Sequence, residues 1–175
     1  MMVLPLVALL VQALDGVPVD ALQAPAGTKA IVFIFTTTDC PVSNRYAPEI
    51  QRLQQRFAPK GVVFRLVYPG RSDREADIRE HMKRYALEGL EAVRDPNLAL
   101  VKFTGATITP EAAIVVKEKL VYHGRIDDRY VELGVERPSP TVHDLADALA
   151  AVLAGKPVAH ATAPAVGCFI ADMTR

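Results

Sequence analysis

A mixed β-sheet with helices on both faces, an α/β architecture, is what three patterns in this sequence predict. The run "AIVFIF" at residues 30–35 is apolar without alternation, which is how a strand covered on both faces reads. Segments of helical period follow it and the next apolar run, so the early strands have the crossovers that parallel pairing needs. Later, "EAAIVVKEKLVYHGRI" offers two strands joined at a polar turn, Lys117 to Lys119, which is the pattern of a hairpin.

The elements follow in order. "LDGVPVDALQAPAGTKAIVFIF" reads as a short strand, a turn at Asp15 and Gly16, a loop, and the buried strand. Residues 41–58 place Tyr46, Ile50, Leu53 and Phe57 on one helical face, with Pro48 inside the helix to kink it. "GVVFRLVYP" is the next strand. In the charged segment Ser72 to Glu88, Ile78, Met82 and Tyr85 mark an exposed helix whose charges form a solvated face. Asp95, Pro96 and Asn97 make a turn, "LALVKFTG" a short helix ending near Gly105, and the hairpin follows. Thr141 to Ala154 form a last amphipathic helix with Val142, Leu145, Leu149 and Val152 or Leu153 facing inward, stopped by Gly155.

At 175 residues the chain is long enough for one domain with a proper core. Twenty basic and twenty acidic residues cancel and form no stripe, which argues against nucleic acid as a partner. No apolar run reaches the roughly 20 residues that span a bilayer. The start, "MMVLPLVALLVQA", reads either as a signal peptide without its usual basic residues or as an extra strand. The division is therefore residues 1–13 as leader or strand, 14–158 as the domain, and 159–175 as a tail rich in Ala and Pro that carries Cys168. An exported or periplasmic setting is slightly favoured over a cytoplasmic one.

Cys40 falls between the end of the buried strand and the first turn of a helix, where unpaired N–H groups and the helix dipole favour an anion. Pro41 suits the first helical position, which needs no N–H. A thiol so placed ionises readily and is nucleophilic. Asp39 opposes this and Arg45 favours it. Closing a loop of about 129 residues from Cys40 to Cys168 would stabilise the fold by roughly 5 kcal/mol if the two were bonded.

"TTTDCPVSNRYAPEI", "RDPNLALVKFTGATITPEAAIVV" and "LVYHGRIDDRY", in that order, resemble the thioredoxin-like redoxins of the alkyl hydroperoxide reductase and thiol-specific antioxidant family, from about Leu14 to Val158. The resemblance implies a thioredoxin fold, Cys40 as nucleophile, and Thr109-Pro110 as the cis-proline loop facing it. Dithiol members carry Cys-x-x-Cys; Ser43 stands at the fourth position here, able to donate to a thiolate but not to resolve a mixed disulfide. Peroxidatic members place a threonine three residues before the cysteine, as Thr37 is. Their proline four residues earlier is Phe33 here, and Thr109 stands where they have an arginine, with Arg125 or Arg45 as the substitutes. Those departures favour disulfide exchange over peroxide reduction.

The resemblance therefore implies a thiol-based oxidoreductase: Cys40, Ser43 and Thr37 at the catalytic centre, Pro41, Thr109, Pro110 and Arg125 along the substrate groove, and no cofactor. Cys168 is read as a resolving cysteine, a permanent structural partner of Cys40, or an unpaired thiol. Partners would be a thiol or disulfide protein, a small thiol or a peroxide. The rival reading is a module without catalysis, docking beside a c-type haem protein or holding copper through Cys40, Cys168 and a histidine, as copper-carrying relatives of the fold do. His81 on the exposed helix, His123 on the hairpin, His143 at the start of the last helix and His160 in the tail show no ligand spacing, so no metal is assigned. Arg125, Asp127, Asp128 and Arg129 in "GRIDDRY" read first as an ion-paired loop and second as a border of the thiol pocket.

Overall fold

The computed structural model describes residues 8–170. The uniformly apolar run forms β3, Ala30–Phe35, buried at every position. It pairs in parallel with β4, Val62–Pro69, and antiparallel with β7, Glu111–Val116. Beyond β4 lies β5, Glu91–Asp95, in parallel; then β1, Leu10–Ala13, and β2, Pro18–Asp20, are added antiparallel. On the other side, β8, Lys119–Gly124, completes the hairpin with β7, and β11, Thr162–Ala163, runs parallel to it at the edge. Two small pairs stand apart from this eight-stranded mixed sheet: β9, Tyr130–Glu132, with β10, Val135–Glu136, and β6, Ile108–Thr109, with β12, Cys168–Phe169.

Alternate residues of β3 serve two cores, because strand side chains point to opposite faces. Ala30, Val32 and Ile34 meet the helical layer formed by α1, Pro41–Arg45, α2, Ala47–Phe57, α3, Glu75–Arg84, and α5, Asp144–Leu153. Ile31, Phe33 and Phe35 meet α4, Ala99–Thr104, together with Val11 and the tail residue Ile170. Helices thus cover both faces of the sheet, as its buried strands require.

Four expectations change. The helix expected over 41–58 is two helices separated at Tyr46, because Pro48 has no N–H to give the carbonyl of Asn44. Tyr46 N bonds Ser43 O instead, at 3.0 Å. The strand β5 lies in a segment that shows only two apolar residues, Ala92 and Val93, between charged ends. Although α3 is charged, His81 is buried in it rather than exposed. Val142 does not face inward: it is 42% exposed, outside α5, and its N–H bonds the carboxylate of Asp128. The β7–β8 turn at Lys117 and Glu118 has φ of 48° and 64°, the left-handed pair that matches strand twist in a tight hairpin. Of the initial segment, Leu10–Ala13 is strand and residues 1–7 lie outside those described. No helix among the described residues is long and apolar enough to cross a membrane.

Candidate active site

The chain leaves β3 at Phe35 and enters α1 at Pro41, so Cys40 is the residue that caps α1. Its Sγ accepts from the Ser43 N–H at 3.5 Å, taking up one of the donors that a helix start leaves unpaired. The Thr109-Pro110 bond is cis, and the Thr109 carbonyl lies 3.2 Å from the same sulfur. Cys40 is 1% exposed.

The tail closes the site. β12 lies antiparallel on β6 with Cys168 opposite Thr109, and the Ile170 N–H bonds Thr107 O at 3.0 Å. This sets the two sulfurs 2.7 Å apart, joined by a hydrogen bond and not by a disulfide. Gly167 makes the approach feasible: a Cβ there would stand 2.0 Å from the Thr109 carbonyl oxygen. Upstream, a Cβ on Gly124 would stand 2.2 Å from Ala163 O, so β11 also depends on a glycine to reach its place.

The two thiols differ in acidity. Burial pushes Cys40 up, but bonds from Cys168 and Ser43 outweigh it and hold the thiol below its ordinary range. Burial, and then the bond to Cys40 and its charge, push Cys168 up to about 12. The pair therefore ionises at Cys40 first, and Cys168 keeps the proton and donates it to the thiolate. Ser43 is 3% exposed, and its Oγ is buried without a hydrogen-bond partner, so no acceptor competes for it when Cys40 is charged.

Other expected residues stand differently. Thr37 is not among the groups bonded to either sulfur. Arg45 pairs with Glu136 at 2.9 Å and Arg125 with Asp144 at 2.7 Å, so each guanidinium is held by a carboxylate. Among the described residues, the histidine, cysteine and acidic side chains that converge in a group of three are Glu49, Asp127 and His143, and neither cysteine belongs to it. A copper site made of both cysteines and a histidine is therefore not assembled.

Three buried polar contacts behind Cys40 were not legible in the sequence. Asp73 accepts from Thr38 Oγ1 at 2.5 Å, and burial raises its carboxyl above the usual range. His81 joins Tyr68, at 2.9 Å, to Asn44 of α1, at 2.7 Å; burial lowers its pKa, and Nε2–H donates to Asn44 Oδ1 while Nδ1 accepts from Tyr68. Tyr46, at the α1–α2 junction, donates to Asp127 Oδ1 at 2.6 Å.

The redoxin family profile matches residues 4–149. The chain belongs to the redoxin family. Solved structures similar to this redoxin have the thioredoxin-like fold. An uncharacterised conserved protein from Geobacillus kaustophilus has a TM-score of 0.78 at 24% identity, over 92% of this chain and 86% of its own. A hypothetical protein from Sinorhizobium meliloti 1021 has a TM-score of 0.75 at 24% identity, over 92% and 88%. A secreted Mycobacterium tuberculosis disulfide oxidoreductase homologous to E. coli DsbE has a TM-score of 0.53 at 18% identity, over 83% and 94%. No curated protein matches the chain. Family and fold support a thiol oxidoreductase role for this redoxin.

Proposed function

We propose that this redoxin is a thiol-disulfide oxidoreductase in which Cys40 is the nucleophile and Cys168 the resolving thiol. The 2.7 Å approach of the two sulfurs at the start of α1 carries this reading. The Cys40 thiolate attacks one sulfur of a substrate disulfide, and the other sulfur leaves as a thiolate that takes a proton from solvent. A mixed disulfide then joins Cys40 to the substrate. Burial still holds the Cys168 pKa up, but Cys40 now carries no charge, so its bond and its repulsion no longer add to that. Cys168 loses its proton to solvent and attacks Cys40 Sγ, expelling the second substrate thiolate. The substrate gains two electrons and two protons, and the Cys40–Cys168 pair becomes a disulfide. A thiol protein or small thiol restores the dithiol by the reverse exchange.

Ser43 and the start of α1 support the thiolate, and Pro41 with Thr109-Pro110 frames the groove. Because Cys40 is 1% exposed, substrate reaches it when β12 lifts from β6, against a two-residue ladder, the Ile170–Thr107 bond and the burial of Ile170. An exported setting suits a chain that cycles through a disulfide.

The test is the intact mass of the reduced protein followed over time with one equivalent of glutathione disulfide. Wild type should pass through a transient glutathione adduct on Cys40 and end as an internal disulfide. Cys168→Ser should stop at the adduct. A first adduct on Cys168, or reaction no faster than that of a free thiol, would overturn the assignment.

A further inference from the structure

Asp127 has a carboxylate oxygen that nothing among the described residues satisfies. Its Oδ1 accepts from Tyr46 Oη at 2.6 Å and from the Arg129 N–H at 2.9 Å. Oδ2 is buried without a partner, in a residue that is 2% exposed. Burying an unpaired carboxylate oxygen is costly unless a donor or cation meets it. Glu49, in the first turn of α2, brings a second carboxylate, and His143, which precedes α5, brings an imidazole. One ligand atom from each of the three lies within 4.8 Å of the other two. Two carboxylates converging on one point repel each other unless positive charge stands between them.

The nearby arginines do not fill that place. Arg129 lays its guanidinium over the Tyr46 ring, 5.4 Å from the centroid. Arg137 bonds the Asp128 carbonyl at 3.0 Å. Arg52 reaches only Glu49 Oε2, at 2.5 Å, through a side chain that is 66% exposed, which leaves Oε1 outside that pair. Arg52 is the solvent-exposed partner of a pair whose Glu49 side chain is 14% exposed, so it is the guanidinium that can swing away into water.

We propose that Glu49, Asp127 and His143 bind a divalent metal ion of the zinc class. One imidazole nitrogen and two carboxylate oxygens suit Zn²⁺ better than Mg²⁺ or Ca²⁺, which take all-oxygen sets, and the absence of sulfur from the set disfavours Cu⁺. Bonds of about 2.0–2.2 Å require the ligand atoms to close up from their present spacing. Asp127 is already fixed by Tyr46 and Arg129, so the adjustment falls to Glu49 and to the exposed His143. This is the usual division between a preset ligand and adaptable ones. Glu49 and His143 also line a polar cavity of about 670 Å³, so an ion between them borders on it and has room for water as a fourth ligand. The ion would tie α2 and the start of α5 to the loop bearing Asp127, whose other oxygen holds Tyr46 at the end of α1.

The test is titration of the full chain with zinc chloride by calorimetry in a Cys40→Ser/Cys168→Ser background, which removes both thiols as ligands. One equivalent should bind, and His143→Ala or Glu49→Gln in that background should weaken binding at least tenfold. Zinc at a hundredfold excess over its dissociation constant should raise the melting temperature by roughly 5–10 °C. Cobalt should give visible bands without sulfur charge transfer. If the doubly substituted chain does not fold, zinc stoichiometry is compared between wild type and His143→Ala with the thiols intact, and loss of one equivalent supports the site. No saturable binding at submillimolar zinc, or binding indifferent to His143→Ala, overturns the proposal.

Discussion

Replacing Gly167 with alanine should separate the two cysteines without touching either. The added Cβ would lie 2.0 Å from Thr109 O, 2.7 Å from Thr109 C and 3.0 Å from Ile108 Cγ2. Backbone cannot yield as a side chain can, and an ordinary contact begins near 3.4 Å, so β12 must move out by about 1.4 Å. The Ile170 N to Thr107 O bond, now 3.0 Å, would then exceed bonding distance. A lost hydrogen bond costs about 1 kcal/mol, and exposing Ile170, now 4% exposed in the core that includes Phe33 and Phe35, costs about 1.5–3 kcal/mol. Together these leave the docked tail about 10²- to 10³-fold less populated relative to the undocked one. The rate at which a mixed disulfide on Cys40 closes to the internal disulfide should fall by about the same factor. Quenched-flow alkylation followed by mass spectrometry measures that rate directly and resolves it from the earlier attack of Cys40 on the external disulfide. Closure at the wild-type rate would show that docking of β12 on β6 is not what brings Cys168 to Cys40.

Three further outcomes are expected. In a Cys168→Ser background, Ser43→Ala should raise the pH midpoint of thiolate ultraviolet absorbance at Cys40, because a hydroxyl donor available to the charged form is removed; an unmoved midpoint would deny Ser43 that role. His81 is held below its ordinary pKa of about 6.5 by burial, so the unfolded chain binds its proton first as pH falls. The His81 contribution to stability is therefore complete above pH 6.5 and is lost as pH drops from there through the folded pKa. Urea melts at pH 7.5 and 5.5 should show a smaller acid loss in His81→Gln, which keeps donor and acceptor but does not titrate; parallel losses would place the effect elsewhere. Tyr46→Phe leaves the buried Asp127 carboxylate with the Arg129 N–H alone, and should cost about 1–3 kcal/mol in the same assay. A change under about 0.5 kcal/mol would mean that Asp127 finds another donor.

What could be read in advance depended on how far apart the partners are in the chain. The strand at Ala30–Phe35 and the hairpin across Lys117 and Glu118 announce themselves through local apolar runs. Cys40 at a helix start follows from the strand ending and Pro41. By contrast, β5 shows two apolar residues between charges, and its strand state comes from lying beside β4. Periodicity counts apolar side chains, so it has no means of seeing that His81 is buried by bonds to Tyr68 and Asn44. The "GRIDDRY" cluster does hold ion pairs, but their partners are distant or later in the chain: Arg125 with Asp144 and Asp128 with Arg137. Asp127 is the exception, buried beneath Tyr46. For β12 the sequence gives only Gly167, and its meaning appears when Thr109, 58 positions earlier, is seen against it.

The two sulfurs are 128 residues apart in sequence, and that spacing imposes an order in time. Synthesis runs from the N-terminus, so all eight strands of the main sheet have been made before Cys168 leaves the ribosome. The domain can therefore assemble around a lone Cys40, which stays without its cover until β12 docks on β6. The second thiol arrives last and finds its place only on a finished Thr109 edge. A Cys40–Cys168 bond would thus be a certificate of completed folding, issued to chains whose core is already built.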